Sequence, residues 1–81
     1  MLWKKIVYPK GTMGYEIQRK EGVRDTWDLL DANGTPIAGL VGKKDSWGPW
    51  GFGELALPRE CSGTIEEAKA TVEDALRAVT Q

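Results

Sequence analysis

The sequence has no histidine, only one cysteine and no long apolar run. Because histidine is absent, catalytic triads that need an imidazole, imidazole general bases and most zinc-site patterns are excluded. One cysteine cannot form a disulfide within the chain or build a cysteine metal cluster, which fits a reducing compartment. No apolar run approaches the ~20 residues that a membrane-spanning helix needs. We therefore expect no cofactor, no metal site and no membrane association.

The sequence also lacks a strong excess of either charge, with a net charge of −1 over 81 residues. A chain of this length forms one domain, so we expect residues 1–81 to fold as a single unit. The charge is uneven, since residues 1–50 carry a net +2 and residues 51–81 a net −3. The opening sequence MLWKKIVYPK has its lysines inside the apolar pattern, which is not typical of a signal peptide. We expect a cytoplasmic protein.

Two stretches near the start of the chain alternate apolar and polar residues, as half-buried strands do. The first covers residues 2–8. The second covers residues 13–19, where Met13, Tyr15 and Ile17 share one face. The sequence PKGT between them is typical of a turn. The pattern predicts that these two strands form a hairpin.

The strongest local signal is a second hairpin, in the sequence DTWDLLDANGTPIAGLVG. Its Asn33-Gly34 dipeptide favours a type I′ turn, which needs positive φ at both positions. The register that follows pairs Trp27 with Leu40, Leu29 with Ala38, Leu30 with Ile37 and Asp31 with Pro36. Proline has no N–H for a further strand, so we expect an edge or a bulge at Pro36.

Residues 64–80 show the pattern of an amphipathic helix. Thr64 followed three residues later by Glu67 is a capping box. One apolar stripe at helical spacing is formed by Ile65, Ala68, Val72, Ala75, Leu76 and Val79. Charged residues take most of the other positions, so the helix should pack against a sheet through this stripe.

These elements predict an α+β domain of two layers. An antiparallel meander of four to five strands, the last over residues 50–57, precedes one C-terminal α-helix packed on one face. The central hairpin is apolar on both sides, with Leu30 and Ile37 on one and Trp27 and Leu29 on the other. One helix covers one face, so the second face needs cover from a loop or from another chain.

Candidate catalytic groups are few. Cys61 lies just before the predicted helix, but no histidine is present to activate it, and it reads as a small residue in a loop. Paired carboxylates such as Glu66-Glu67 and Glu73-Asp74 lie opposite the apolar stripe and should be solvated, whereas catalysis needs a carboxylate in an apolar pocket. We predict no catalytic residues and no enzymatic activity.

The stretch DSWGPWGFG places three aromatic residues among glycines and a proline. On strand parity Trp50 and Phe52 share a face, and we expect them to complete the core at one end of the sheet. Trp47 falls on the other parity, and is either an exposed anchor for a partner or part of the core. The candidate binding residues are Trp47, Lys43, Lys44, Asp45 and Trp50.

A basic, aromatic strand face is the alternative site. Sheets that hold bases between aromatic and basic side chains bind single-stranded nucleic acids. The residues that would form such a face here are Lys4, Lys5, Tyr15, Arg19, Lys20 and Arg24. The overall acidic balance weighs against this function.

The surplus of large apolar residues on both faces predicts a non-enzymatic binding module that acts through protein–protein contact. The partner is another protein or a second copy of the chain, and nucleic acid is the alternative. No small-molecule substrate is indicated.

Two segments also carry a family resemblance, WDLLDANG from Trp27 to Gly34 and GTIEEA from Gly63 to Ala68. Short strands, such a hairpin and a C-terminal helix opening T-x-E-E-A resemble small orphan proteins encoded by bacteriophages. The helix entry is similar to that of HicB-type antitoxin domains. The phage-like resemblance implies a non-catalytic protein that binds and modulates a host or phage macromolecule.

Overall fold

An antiparallel sheet of five strands carries two helices in the computed structural model, which describes residues 1–53 and 55–79. The elements in chain order are β1 (Leu2–Ile6), α1 (Met13–Glu21), β2 (Val23–Leu30), β3 (Pro36–Lys43), β4 (Ser46–Gly51), β5 (Cys61–Ser62) and α2 (Ile65–Val79). The strands lie side by side in the same order. α2 packs on one face, so the predicted α+β meander with a C-terminal helix is confirmed.

The prediction of a strand over residues 13–19 is wrong, because this segment forms helix α1. Its ends carry strong helix signals. The Oγ1 of Thr12 accepts a hydrogen bond from the backbone N–H of Tyr15, and Gly22 ends the helix in the left-handed conformation at φ 72°. Arg19 and Lys20 lie in the last turn, where cations stabilise the helix dipole. These caps outweigh a short alternation of apolar residues.

With α1 in place of a strand, β1 pairs with β2 instead of forming the predicted first hairpin. Leu2 lies opposite Leu30, and Trp3 lies opposite Leu29. β1 is consequently an edge strand of the sheet. The strand ends at Ile6, two residues before the predicted end.

The register of the β2–β3 hairpin is confirmed away from its turn. Trp27 faces Leu40 and Leu29 faces Ala38, as the pattern predicts. The register then shifts, and Leu30 faces Pro36 instead of Ile37. The expected bulge therefore lies next to the proline, where a missing N–H costs no ladder hydrogen bond.

The turn between β2 and β3 is not type I′. Gly34 has φ 80°, but no other residue near it has positive φ. The carboxylate of Asp31 accepts hydrogen bonds from the N–H groups of Asn33 (2.8 Å) and Thr35 (3.0 Å), and the N–H of Gly34 donates to the carbonyl of Asp31. An aspartate that binds the backbone ahead of it selects this wider turn with a single left-handed glycine.

Strand β3 runs on to Lys43, and two residues join it to β4. Lys43 then lies opposite Ser46, and Gly42 lies opposite Trp47. The predicted strand over residues 50–57 is wrong at both ends, because β4 begins at Ser46 and ends at Gly51.

The core lies between α2 and the sheet. Thr64 caps α2, since its Oγ1 accepts a hydrogen bond from the N–H of Glu67 at 3.2 Å. The buried residues are Leu29, Ala38, Leu40, Trp47, Cys61, Ala68, Val72 and Leu76. Three of these lie on the predicted stripe of α2, which confirms its orientation.

Two tryptophans close the side of this core. The indole N–H of Trp3 donates to Oε1 of Glu73 at 2.8 Å. The Nζ of Lys69 lies 4.0 Å from the ring centre of Trp27 and 5.7 Å from that of Trp3. Side chains of α2 thereby clamp both rings through a hydrogen bond and cation–π contacts.

The core prediction for DSWGPWGFG is reversed. Trp50 and Phe52 do share a face, with their ring centres 5.5 Å apart, and Trp47 points the other way. However, the face of Trp47 is the one that α2 covers. Trp47 is 6% exposed and Phe52 is 69% exposed. Trp47 is therefore a core residue, and the expectation that Trp50 and Phe52 fill the core is wrong.

This reversal predicts very different costs for two aromatic substitutions. Trp47→Ala should lower the free energy of unfolding by ~3–5 kcal/mol, because it leaves a cavity under α2. Phe52→Ala should lower it by less than ~1 kcal/mol, because its ring is mostly in water. Urea denaturation measures both. If Trp47→Ala is unfolded, Trp47→Phe gives the smaller cavity to compare, and equal losses at the two positions would contradict the assignment.

Candidate functional site

The sheet face turned away from α2, here called the open face, is the first candidate site. Side chains alternate along each strand, so the neighbours of the buried residues point to this side. They are Leu2, Lys4, Ile6, Thr26, Asp28, Leu30, Gly39, Val41, Gly48 and Trp50. α1 reaches one end of this face, where the side-chain amide of Gln18 donates to Oγ1 of Thr26. The opposite end, beside the β2–β3 turn, is exposed.

Trp50 is the largest side chain on the open face, and a glycine makes room for it. Gly39 of β3 is its cross-strand partner. A Cβ placed on Gly39 would lie 2.5 Å from the indole of Trp50 and 2.5 Å from the carbonyl oxygen of Trp27. The indole therefore lies flat on the backbone of β3. Phe52 meets it edge to face at 79°, and its N–H donates to the carbonyl of Ile37 at 3.2 Å.

Four apolar side chains of the open face lie at the end beside the β2–β3 turn, and we call them the apolar patch: Leu2, Leu30, Trp50 and Phe52. Leu2 is 65% exposed and lies directly opposite the half-buried Leu30. Leu30 faces Pro36, and Phe52 is bonded to the next residue of β3. The patch therefore crosses strands β1 to β3 and reaches the end of β4.

A pair of opposite charges borders the patch. Lys4 lies opposite Asp28, and each is two residues along its strand from Leu2 or Leu30, on the same face. Burial raises the pKa of the Asp28 carboxyl above its ordinary value of 3.8, and the positive charge of Lys4 opposes that shift. Loss of water is thus the larger effect on this carboxylate.

The predicted binding residues divide between the two faces. Trp47 is buried, so of the two alternatives that the sequence left open it is the core residue and not the exposed anchor. The guanidinium of Arg24 lies 5.1 Å from the centre of its ring. Lys43, Lys44 and Asp45 are exposed at the β3–β4 turn. Of the predicted set, the structure brings together Lys43 and Trp50, which line one groove of about 440 Å³ on the open face.

The basic strand face predicted for nucleic acid does not form, because Tyr15, Arg19 and Lys20 belong to helix α1. Four of the six predicted residues nevertheless meet around a pocket of about 400 Å³ between α1, the end of β1 and the start of β2. They are Lys5, Tyr15, Arg19 and Arg24. We call this the α1 pocket. Lys4 points to the open face, and Lys20 lines a different surface of α1.

Sequence reasoning missed the role of Phe52 and of Leu2. The sequence does carry a signal for Leu2: it is adjacent to Trp3 on a predicted strand, so the two side chains must point to opposite faces of the sheet. The signal for Phe52 depended on which side α2 packs, and strand parity alone leaves that choice open.

Comparisons of the chain with models of known protein families, with curated proteins and with solved structures find no match. The resemblances to phage orphan proteins and to HicB-type domains stay predictions. Within residues 1–53 and 55–79, no three Cys, Asp or Glu side chains are placed to hold a metal ion together. Neither helix of that part of the chain has the length and apolar character needed to cross a membrane.

The contact between Gly39 and Trp50 predicts the result of two glycine substitutions. Gly39→Ala should cost ~1–3 kcal/mol of unfolding free energy, because the new methyl group collides with backbone and indole. Gly48→Ala on the neighbouring strand is the control, since its Cβ would meet only a carbonyl oxygen at 3.7 Å. We expect Gly48→Ala to change stability by less than ~1 kcal/mol. Chemical denaturation measures the stability of both variants. Equal stability would contradict the close contact between the Trp50 indole and Gly39.

The raised pKa of Asp28 predicts a pH-dependent effect of Asp28→Asn. The folded state holds the proton of Asp28 more tightly than the unfolded state, so ionisation destabilises the fold. Asp28→Asn should therefore be more stable than wild type near pH 7, and this gain should vanish at about pH 3, below both pKa values. Thermal unfolding across this range measures it. A stability loss for Asp28→Asn at neutral pH would show that the pairing with Lys4 outweighs desolvation.

Proposed function

We propose that this chain is a non-enzymatic binding module that recognises a protein partner through the apolar patch. The observation that carries the proposal is the placement of Trp50 and Phe52 in edge-to-face contact on the uncovered side of the sheet. Large exposed apolar surfaces on small proteins mark interaction sites. Tryptophan is among the residues that contribute most to binding energy at protein interfaces.

The geometry also favours one manner of docking. β1 is an edge strand, and edge strands can extend a sheet into a neighbouring chain. Lys4 and Lys5 stand at the centre of β1, and charged residues in that position disfavour such pairing. A partner would therefore lie across the open face, over Leu2, Leu30 and Phe52, instead of adding a strand.

Charges around the patch would set the specificity of such a contact. Lys4 and Asp28 border the patch on β1 and β2, and Lys43 lines the groove beside Trp50. An apolar centre with a polar rim is the usual anatomy of a protein interface. The partner should present an apolar side chain to Phe52 and complementary charges to this rim.

The cellular setting and family form part of the same proposal. We infer a cytoplasmic protein, supported by the single cysteine, and a phage-like modulator, supported by the hairpin and helix entry that carry the resemblance. A non-catalytic role is supported by the lack of histidine and by the exposed setting of Glu66, Glu67 and Asp74 on α2.

Two matched variants test the proposal. Phe52→Ser removes an exposed apolar side chain from the patch, and Met13→Ser removes one from α1, where Met13 is 79% exposed. Wild type and Met13→Ser should bind the same protein, either a second copy detected by light scattering or another protein retained by affinity capture. Phe52→Ser should bind it at least about tenfold more weakly.

Two results would overturn this function. One is a wild-type chain that stays monomeric at all concentrations and retains no protein. The other is a partner that Phe52→Ser and Met13→Ser bind equally well. Circular dichroism of both variants shows whether the fold is kept, so a loss of binding is not mistaken for unfolding.

A further inference from the structure

The α1 pocket lies at the opposite end of the strands from the apolar patch, and the binding function proposed above does not use it. One wall is α1, which contributes Tyr15 and Arg19. The other wall is the end of β1 with Lys5 and the residues that follow it, including Tyr8. The start of β2 forms the floor. Its volume of about 400 Å³ falls within the range of small-molecule sites.

Positive charge is concentrated around this pocket, although the whole chain is slightly acidic. The Nζ of Lys5 and the Nε of Arg24 each lie 3.4 Å from the carboxylate of Asp25. Two cations therefore share one carboxylate. Arg19 forms no ion pair with any acidic group in the described part of the chain, and it adds a third positive charge. The pocket has the excess of cations that an anionic ligand needs.

Not all three cations are equally available. Arg24 also donates an N–H to the carbonyl of Lys44 at 3.0 Å and stacks over Trp47. Its guanidinium is largely committed to the fold. Lys5 and Arg19 stand on opposite walls and are the groups that would contact an anion between them.

Two tyrosines give the pocket an aromatic lining. Tyr15 precedes Arg19 by four residues, so the two side chains are neighbours on one side of α1. The ring of Tyr8 packs directly on Gly14, where any Cβ would collide with it. This contact joins Tyr8 to α1 beside the pocket, which the Tyr8 side chain lines. Aromatic rings next to Lys and Arg are the usual means of holding a base and its phosphate together.

We propose that the α1 pocket binds a nucleotide, with the phosphate between Lys5 and Arg19 and the base against Tyr8 and Tyr15. A bare anion would leave the aromatic lining unused, and an apolar ligand would leave the excess positive charge of the pocket without a counterion. The nucleotide is either free or part of a single strand, and both present the same phosphate and base.

The experiment compares binding of a mononucleotide, a short single-stranded oligonucleotide and ribose 5-phosphate, which lacks the base. Titrations begin at about 50 mM salt, where phosphate contacts are strongest, and continue to higher salt. We expect the mononucleotide or the oligonucleotide to bind, and ribose 5-phosphate to bind more weakly by roughly tenfold because it cannot stack. A mononucleotide that binds as tightly as the oligonucleotide identifies a free nucleotide as the ligand, and binding of the oligonucleotide alone identifies a single strand.

Neighbouring residues of α1 supply the matched control. Arg19→Gln and Lys20→Gln each remove one positive charge from the last turn of the same helix, but Lys20 does not line the α1 pocket. Arg19→Gln should weaken nucleotide binding by roughly tenfold, as the loss of a charged hydrogen bond does, and Lys20→Gln should leave it nearly unchanged. Tyr15→Leu should weaken binding of the nucleotide but not binding of ribose 5-phosphate.

Three outcomes would overturn the proposal. The first is no binding of either nucleotide ligand at low salt. The second is equal weakening by Arg19→Gln and Lys20→Gln, which would mean a diffuse attraction to the helix. The third is ribose 5-phosphate binding as tightly as the mononucleotide, which would remove the role of the base. Because none of these variants touches the apolar patch, failure here is separate from failure of the protein-binding function.

Discussion

Two cross-strand contacts between glycine and tryptophan decide how the sheet is used. On β3, Gly42 faces Trp47 and Gly39 faces Trp50. In each pair a Cβ on the glycine would collide with the indole, at 2.6 Å for Gly42 and 2.5 Å for Gly39. The two glycines are three residues apart on β3, and the two tryptophans are three residues apart on β4. The two rings therefore lie on opposite faces of the sheet. One glycine thus admits a tryptophan to the core, and the other holds one on the open face.

Small residues likewise let α2 approach the sheet closely. Ala38 of β3 and Ala68 of α2 are both fully buried in the core, so each layer contributes a small residue to it. The clamp of Lys69 over two tryptophan rings closes the side of this layer. An 81-residue chain has few apolar residues to spare, and filling one face completely leaves the other face exposed. The apolar patch is exposed because the one helix that packs on the sheet through an apolar stripe, α2, covers the other face.

The sequence predicted those elements whose signals are local and mutually consistent. The stripe of α2 and its cap at Thr64 agree, and so do the apolar pairs of the β2–β3 hairpin. The segment of α1 carried conflicting signals, because its alternation suggests a strand while Thr12 and Gly22 are helix caps, and the caps prevailed. For Trp50 and Phe52 the shared parity was right and the predicted side of the sheet was wrong. The missing information was the register across the β3–β4 turn, which a continuous strand through Gly42 would have supplied.

The two candidate sites also differ in how firmly the fold supports them. The apolar patch stands on paired strands, with Trp50 seated on the backbone of β3. The α1 pocket has one wall made from a helix of nine residues with no buried side chain, and isolated helices shorter than ~12–15 residues are marginal in water. α1 is held by its caps, by the bond from Gln18 to Thr26 and by Tyr8 against Gly14. A ligand that joins Arg19 to Lys5 would add a link between α1 and β1, and because it binds the folded state it would stabilise this helix. The proposed protein contact would thus use a surface built on paired strands, whereas the proposed ligand contact at α1 would be coupled to the stability of the helix that forms the site.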